Sequence, residues 1–375
     1  MAGATPAGRG KEPVRQSNPG ALAPSERQHA VFKAEQLALR LLSAGKLAEG
    51  GELLLKVLHG RRALCGPEHA DTLATVHNLA ALRHFEGRQE EASDLYELAV
   101  AGRSRTFGQS DPRTLASIGG LASVRRQQGR FAEAEEMYER ALCGLEREVG
   151  SKHPETLTVL TNLASLHKMQ SNFEAAEKLY SVALEGREEM LGSNHPDTLS
   201  TVFHLANLYA SWGRLDKASS LYDRAMRGFE SCLGESHPDT LSSMNNLANL
   251  RATQGEYEQA ERLYERALSG FQSKFGADCL FTLTAINGYA GLRKQQGKLD
   301  VSEGLYRHVL QGRLKLLGAG HPRCEQTRQA LVSVLLEQGK HDEARALESQ
   351  ETSGDCSRAP TCPCGRQSSA ATDVP

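Results

Sequence analysis

The chain has 375 residues, 39% hydrophobic but only 5% aromatic, so its core must rest on leucine and alanine, which suits stacked helices and disfavours a β-sandwich. A net charge of −2 leaves no global field to attract nucleic acid or an anionic membrane. No apolar run approaches the roughly 18–20 residues of a membrane span, and Cys65, Cys143, Cys232, Cys279 and Cys324 share no metal-ligand spacing, so they read as reduced thiols of a cytoplasmic protein.

In chain order, residues 1–26 carry Pro, Gly and a few basic residues but no apolar stretch, which predicts a disordered tail and no secretion signal. Glu12 and the lack of an amphipathic pattern argue against a transit peptide. A divergent first repeat is expected at about 27–68, because a step of 42 residues maps Leu37-Ala38 onto Leu79-Ala80 and Gly45 onto Gly87. From there the register is unbroken. Leu73, Leu115, Leu157, Leu199, Leu241 and Leu283 follow at 42 residues each, with Thr72 to Thr282 beside them and Tyr96 to Tyr306 further on. Two glycine columns, those of Gly186 and Gly192, run along the whole array. His321-Pro322 opens an eighth unit whose second helix has only His341 to about Gln350, and 351–375 reads as a second disordered tail. The array thus spans 27–350, seven full repeats plus a truncated eighth, with degraded copies at the ends acting as caps.

Each unit reads as an antiparallel pair of helices. His195-Pro196-Asp197-Thr198 opens the first: proline suits the first helical position and an acidic side chain suits the helix N-terminus. Leu199, Val202, Leu205, Ala206 and Leu208 form its buried stripe, and Gly213 ends it. Leu215, Ala218, Leu221, Tyr222, Ala225 and Met226 do the same for the second. Ala206, Ala218 and Ala225 recur in the other repeats, and their small side chains predict close approach of two helix backbones.

The pattern N-L-A-x-L, G-x-x-x-x-A, L-Y-x-x-A-L resembles the tetratricopeptide repeat, and best matches it from Asn245 through Leu268. The His-Pro-Asp-Thr-Leu opening and the 42-residue period, in place of about 34, are similar to the variety in kinesin light chains and nephrocystin-3. The Gly186 column departs from kinesin light chains, which carry a larger apolar residue there, and no N-terminal heptad coiled coil is present. The resemblance implies an all-α, right-handed superhelical solenoid whose first helices line a concave groove.

On those helices His77, Asn78, His84, Arg126, Thr161, Asn162, Lys168, His204, Asn207, Asn245, Asn246, Asn249, Asn287 and Lys294 are expected to face the groove. Asparagine offers a donor and an acceptor to an extended backbone, and related repeats use groove asparagines so, which the resemblance implies for Asn162, Asn245, Asn246 and Asn287. Arg126, Lys168 and Lys294 would favour an acidic peptide. The same asparagines could instead fix neighbouring helices. The expected function is a non-catalytic scaffold or adaptor binding a partner protein, with a cargo or ciliary role following from resemblance alone. Self-assembly through the convex face, a regulatory module for a separate enzyme, and helical-repeat RNA binding are the alternatives.

No cofactor, metal, small-molecule substrate or nucleic acid is expected. His69, His153, His195, His237 and His321 occupy one repeat position and lie too far apart to share an ion, so they read as helix-start residues. Cys362-Pro363-Cys364 lacks a second ligand pair. No phosphate-binding loop, Ser-His-Asp set or carboxylate pair stands out, which argues against an enzyme.

Overall fold

Eight antiparallel helix pairs account for the residues described by the computed structural model, 24–43 and 47–348. The first helices are α1 (Pro24–Ser43), α3 (Ala70–Phe85), α5 (Pro112–Gln127), α7 (Pro154–Met169), α9 (Pro196–Ser211), α11 (Pro238–Thr253), α13 (Leu280–Gln295) and α15 (Pro322–Glu337). The second helices are α2 (Leu47–Cys65), α4 (Gln89–Phe107), α6 (Phe131–Glu148), α8 (Phe173–Leu191), α10 (Leu215–Leu233), α12 (Tyr257–Phe275), α14 (Leu299–Leu317) and the short α16 (His341–Glu348). No strand occurs among the described residues. Residues 24–26 of the expected N-terminal tail are helical; the rest of that tail, Gly45 and the 351–375 tail lie outside the described residues.

The repeated residues act at helix ends and crossings. At five helix starts the histidine Nδ1 accepts a hydrogen bond from the backbone N–H two residues on, as His195 does from Asp197 at 3.2 Å. Asp111 takes this place in α5 at 2.9 Å. The histidine column is therefore a set of N-caps. The threonine after the start is buried in α3, α5, α7, α9, α11 and α13, and in all of these but α9 it donates to the carbonyl of the glycine that ended the previous helix, as in Thr156 to Gly150 (2.8 Å) and Thr282 to Gly276 (2.7 Å); Thr198 of α9 reaches the Arg187 carbonyl instead, at 3.4 Å. Cys324 makes the equivalent contact to Gly318 at 3.3 Å.

Gly213 closes α9 with φ +74°, and Arg214 N–H returns to the Tyr209 carbonyl at 2.8 Å, the Schellman arrangement. Ser171 holds the same left-handed backbone at φ +60° after α7. Inside each pair, Ala206, Ala218 and Ala225 and their counterparts in the full repeats are fully buried. The glycine column marks a still closer crossing. A Cβ at Gly186 would sit 2.8 Å from Leu157 Cδ2, and one at Gly228 would sit 2.4 Å from Leu199 Cδ2. The leucine and glycine columns are two halves of one contact.

Consecutive pairs are joined in two ways. Arg61, Arg103, Arg187 and Arg313 each reach forward from a second helix to the next first helix. There each donates to a backbone carbonyl and to a hydroxyl: Thr75 (2.6 Å), Ser117 (2.8 Å), Thr201 (2.6 Å) and Thr327 (2.6 Å). Where the arginine is replaced, the joint is apolar. Leu145 and Val159 are buried in one cluster, and Phe271 stacks on Phe281 with centroids 5.7 Å apart. Phe229, the third replacement, is likewise buried.

First helices also pack on one another, α3 on α5, α5 on α7, α7 on α9, α11 on α13 and α13 on α15. Second helices of adjacent repeats meet through long side chains, such as Arg266–Glu230 at 2.8 Å and Arg307–Glu343 at 2.5 Å. The closer approach of the first helices puts them on the inner side of the curve. Among the described residues no helix is long and apolar enough to cross a membrane.

Two stability predictions follow from these contacts. Ala206→Leu should overpack the helix crossing and cost about 1–3 kcal/mol, read as a lower urea midpoint; an unchanged midpoint would remove alanine from its assigned role. Ser171→Gly should stabilise by about 1 kcal/mol by relieving a left-handed non-glycine residue, and a destabilised variant in thermal melts would contradict the strain argument.

Candidate functional site

The inner side of the curve is a trough floored by one stripe of each first helix. Positions one or two turns apart line it: in α7 they are Thr158, Asn162 and Ser165, and in α9 Ser200 and His204. Across the repeats these columns hold mostly Ala, Gly, Ser, Thr and Asn, so the floor is polar and low.

The residues expected in the groove divide into distinct placements. Asn78 and Asn162 lie on the floor, half-buried, and their amides make no side-chain hydrogen bond among the described residues. His204 shares their column and stacks on Tyr180, with centroids 6.1 Å apart and planes 7° from parallel. Asn249 reaches the floor but accepts the hydroxyl of Tyr264.

Asn207 is only 2% exposed. Its Oδ1 accepts from Tyr222 Oη and, at 3.0 Å, from Asn246 Nδ2, two donors that fix the amide's orientation. Asn246 and Asn245 are also buried, joined at 3.4 Å, and Asn207 Nδ2 and Asn245 Oδ1 are left without partners. The central amides thus form a network within the stack, tied to the buried tyrosines, and the open row expected there is interrupted. Ser123 and Ser165 serve Tyr138 and Tyr180 in the same way at 2.7 Å.

A further set occupies the seam between adjacent first helices. His77 Nδ1 hydrogen-bonds Ser117 Oγ at 3.1 Å, and Asn287 Oδ1 accepts from Thr327 Oγ1 at 3.4 Å. Thr161 is buried and returns its hydroxyl to the Leu157 carbonyl at 2.8 Å.

The cations sit near the C-terminal ends of their helices. Arg126 contacts Met169 Sδ at 3.2 Å through Nη1, and its buried Nε has no partner. Lys168 and Arg126 both act on His204, which burial first, then Lys168, Arg187 and Arg126, pushes down to about 3. Burial and then Arg103 push His77 down to about 4. Lys294 is already paired with Glu337 at 2.9 Å and donates to Ser333 at 2.8 Å, so the charge expected at that end is neutralised. His84 meets Gln89 at 3.2 Å. Arg126 and Lys168, the other two cations expected in the groove, both lie within electrostatic reach of His204.

The sequence reading missed Phe32 and Leu39, which the 42-residue step aligns with Ala74 and Ala81. Both are exposed, at 54% and 40%. Among the described residues no group of three His, Cys, Asp or Glu side chains could hold a metal, and Cys362 and Cys364 lie outside them.

A family model for the tetratricopeptide repeat matches residues 31–105, 112–189, 197–273 and 281–353. Among solved structures, a Podosopora anserina protein described as a kinesin light chain with nearly identical TPR-like repeats is 26% identical, over 55% of this chain and 97% of its own, with a TM-score of 0.46. BtubC (BKLC) from P. vanneervenii is 24% identical, over 63% of this chain and 96% of its own, with a TM-score of 0.48. A Rap protein complexed with competence and sporulation factor is 12% identical, over 86% of this chain and 96% of its own, with a TM-score of 0.55, a likeness of fold alone. No curated protein matches the chain in sequence.

The buried histidine generates a pH prediction. His204 stays neutral in the fold while an unfolded histidine titrates near about 6.5, so only the unfolded chain gains that proton as pH falls from there toward 3. Stability should therefore fall across this window. His204→Asn should lose less stability than the parent between pH 7 and pH 4.5 in urea titrations; equal losses would mean that His204 is not held neutral.

Proposed function

The chain belongs to the tetratricopeptide repeat family, and on that premise we propose that it is a non-catalytic scaffold or adaptor whose trough holds an extended, acidic segment of a partner protein. The observation that carries this reading is the pair of half-buried amides, Asn78 and Asn162, that make no side-chain hydrogen bond among the described residues; Arg126 and Lys168 give the sequence-based preference for an acidic ligand. An extended backbone has one N–H and one C=O per residue, which a side-chain amide can match whatever the peptide's sequence.

The tyrosine column supports a peptide over RNA. Tyr138, Tyr180, Tyr222 and Tyr264 are fully buried, so no aromatic ladder is offered to nucleobases. A cytoplasmic setting fits the absence of disulfides among the described cysteines, and a kinesin-light-chain-like cargo, ciliary or cytoskeletal role is the finer form of the same proposal.

Selection from a displayed library of acidic peptides, followed by titration, tests the reading. Arg126→Glu with Lys168→Glu should weaken the selected peptides at least about tenfold, since charge-assisted hydrogen bonds contribute roughly 1.5–3 kcal/mol each. Lys294→Glu, whose parent cation is already paired, should change little. Peptides indifferent to the double reversal would defeat the proposal.

A further inference from the structure

The tyrosine column is latched unevenly. Tyr138, Tyr180, Tyr222 and Tyr264 each bond their hydroxyl to a serine or asparagine fifteen residues upstream in the same repeat. Tyr96 has Ala81 at that position, and Tyr306 has Gly291. The Tyr96 hydroxyl makes no hydrogen bond among the described residues, although the side chain is only 4% exposed. A buried hydroxyl left without a partner costs stability, so what it faces matters.

The unlatched hydroxyl is directed across the seam to the neighbouring first helix. A Cβ at Gly120 would sit 2.4 Å from Tyr96 Cε1 and 2.8 Å from the hydroxyl oxygen. Gly120 stands in the floor column of Asn78, Asn162 and His204, and it is itself partly exposed. The tip of the phenol thus fills the floor position from which Gly120 withholds a side chain. His77 meets the ring edge-on, with centroids 5.4 Å apart and planes at 77°, and holds it there. Burial raises the phenol's pKa, so the hydroxyl keeps its proton to donate. For Tyr306 the same floor position holds Ala330 in place of a glycine.

The helices α3, α5 and α7 pack on one another in turn, so Asn78, the Tyr96 hydroxyl and Asn162 make three steps of one row. Packed helices lie about 8–10 Å apart and an extended chain advances about 3.3 Å per residue, so a segment laid across them meets a new step at roughly every third residue. We propose that the Tyr96 hydroxyl is a peptide-binding group of the trough, donating to a backbone carbonyl of the extended segment held by Asn78 and Asn162. This rests on the trough reading above and adds to it a third contact, made available by Ala81 and Gly120 together. A backbone carbonyl is the acceptor that an extended segment offers at every residue, and the two flanking amides select the same kind of ligand.

Fluorescence polarisation on the full chain tests this with the tightest peptide taken from a displayed library of random sequence. Tyr96→Phe should weaken that peptide about three- to tenfold, the worth of one hydrogen bond, without lowering the urea midpoint, because no partner within the protein is lost. Ala81→Ser should weaken it as much while raising the midpoint, since a serine there supplies the latch that Tyr138 and Tyr180 have and draws the hydroxyl from the floor. Tyr138→Phe should lower the midpoint and spare affinity. If Tyr96→Phe binds like the parent while Asn78→Ala with Asn162→Ala weakens the peptide, the hydroxyl contact is overturned and the trough reading stands. If Tyr96→Phe lowers the midpoint as Tyr138→Phe does, the hydroxyl serves the fold and the proposal is likewise overturned. If no peptide is selected, or if none of these variants weakens it, both fall.

Discussion

Everything in this molecule depends on how closely two helix backbones can cross. The alanine columns and the glycine column set that distance, and leucines such as Leu157 and Leu199 occupy the space the missing side chains leave. A pair packed so tightly still exposes an apolar flank, which only the next pair can cover, so the stack grows by repetition. The low floor of the trough is a product of the same economy of size: small residues keep the first helices close together, and their polar members remain on the inner side.

How the amides are used shows that repetition of sequence does not mean repetition of role. Asn207 and Asn249 stand in one column and both accept a tyrosine hydroxyl, yet Asn207 also receives Asn246 and is sealed from water. Asn162, one residue type and one column away, receives nothing among the described residues. The side-chain amides of Asn78 on α3 and Asn162 on α7 are therefore unengaged among the described residues, whereas those on α9 and α11 are tied to one another and to the tyrosines.

The period made the fold readable, because a 42-residue step fixes which residues share an environment, and the caps, alanines and tyrosines follow from it. The site was less readable for a geometric reason. Asn245 and Asn246 are neighbours in sequence but lie about 100° apart around the helix, so they approach different parts of the stack, and nothing in the chain alone shows that Asn246 ends on Asn207. Some of the missing information was present. The fifteen-residue interval from Ser123 to Tyr138, Ser165 to Tyr180, Asn207 to Tyr222 and Asn249 to Tyr264 marks a hydroxyl latch inside the repeat. Phe32 and Leu39 were overlooked because the divergent first repeat hides their columns.

The two kinds of joint have a mechanical side. An arginine seated on a hydroxyl and a carbonyl is held in direction as well as distance, whereas stacked rings and aliphatic chains attract without preferring one alignment so sharply. The solenoid is thus a spring of unequal coils: notched where Arg61, Arg103, Arg187 and Arg313 engage, and free to glide where Leu145, Phe229 and Phe271 replace them. Tension along the chain would be shared unevenly, with the extension gathered at the greased turns.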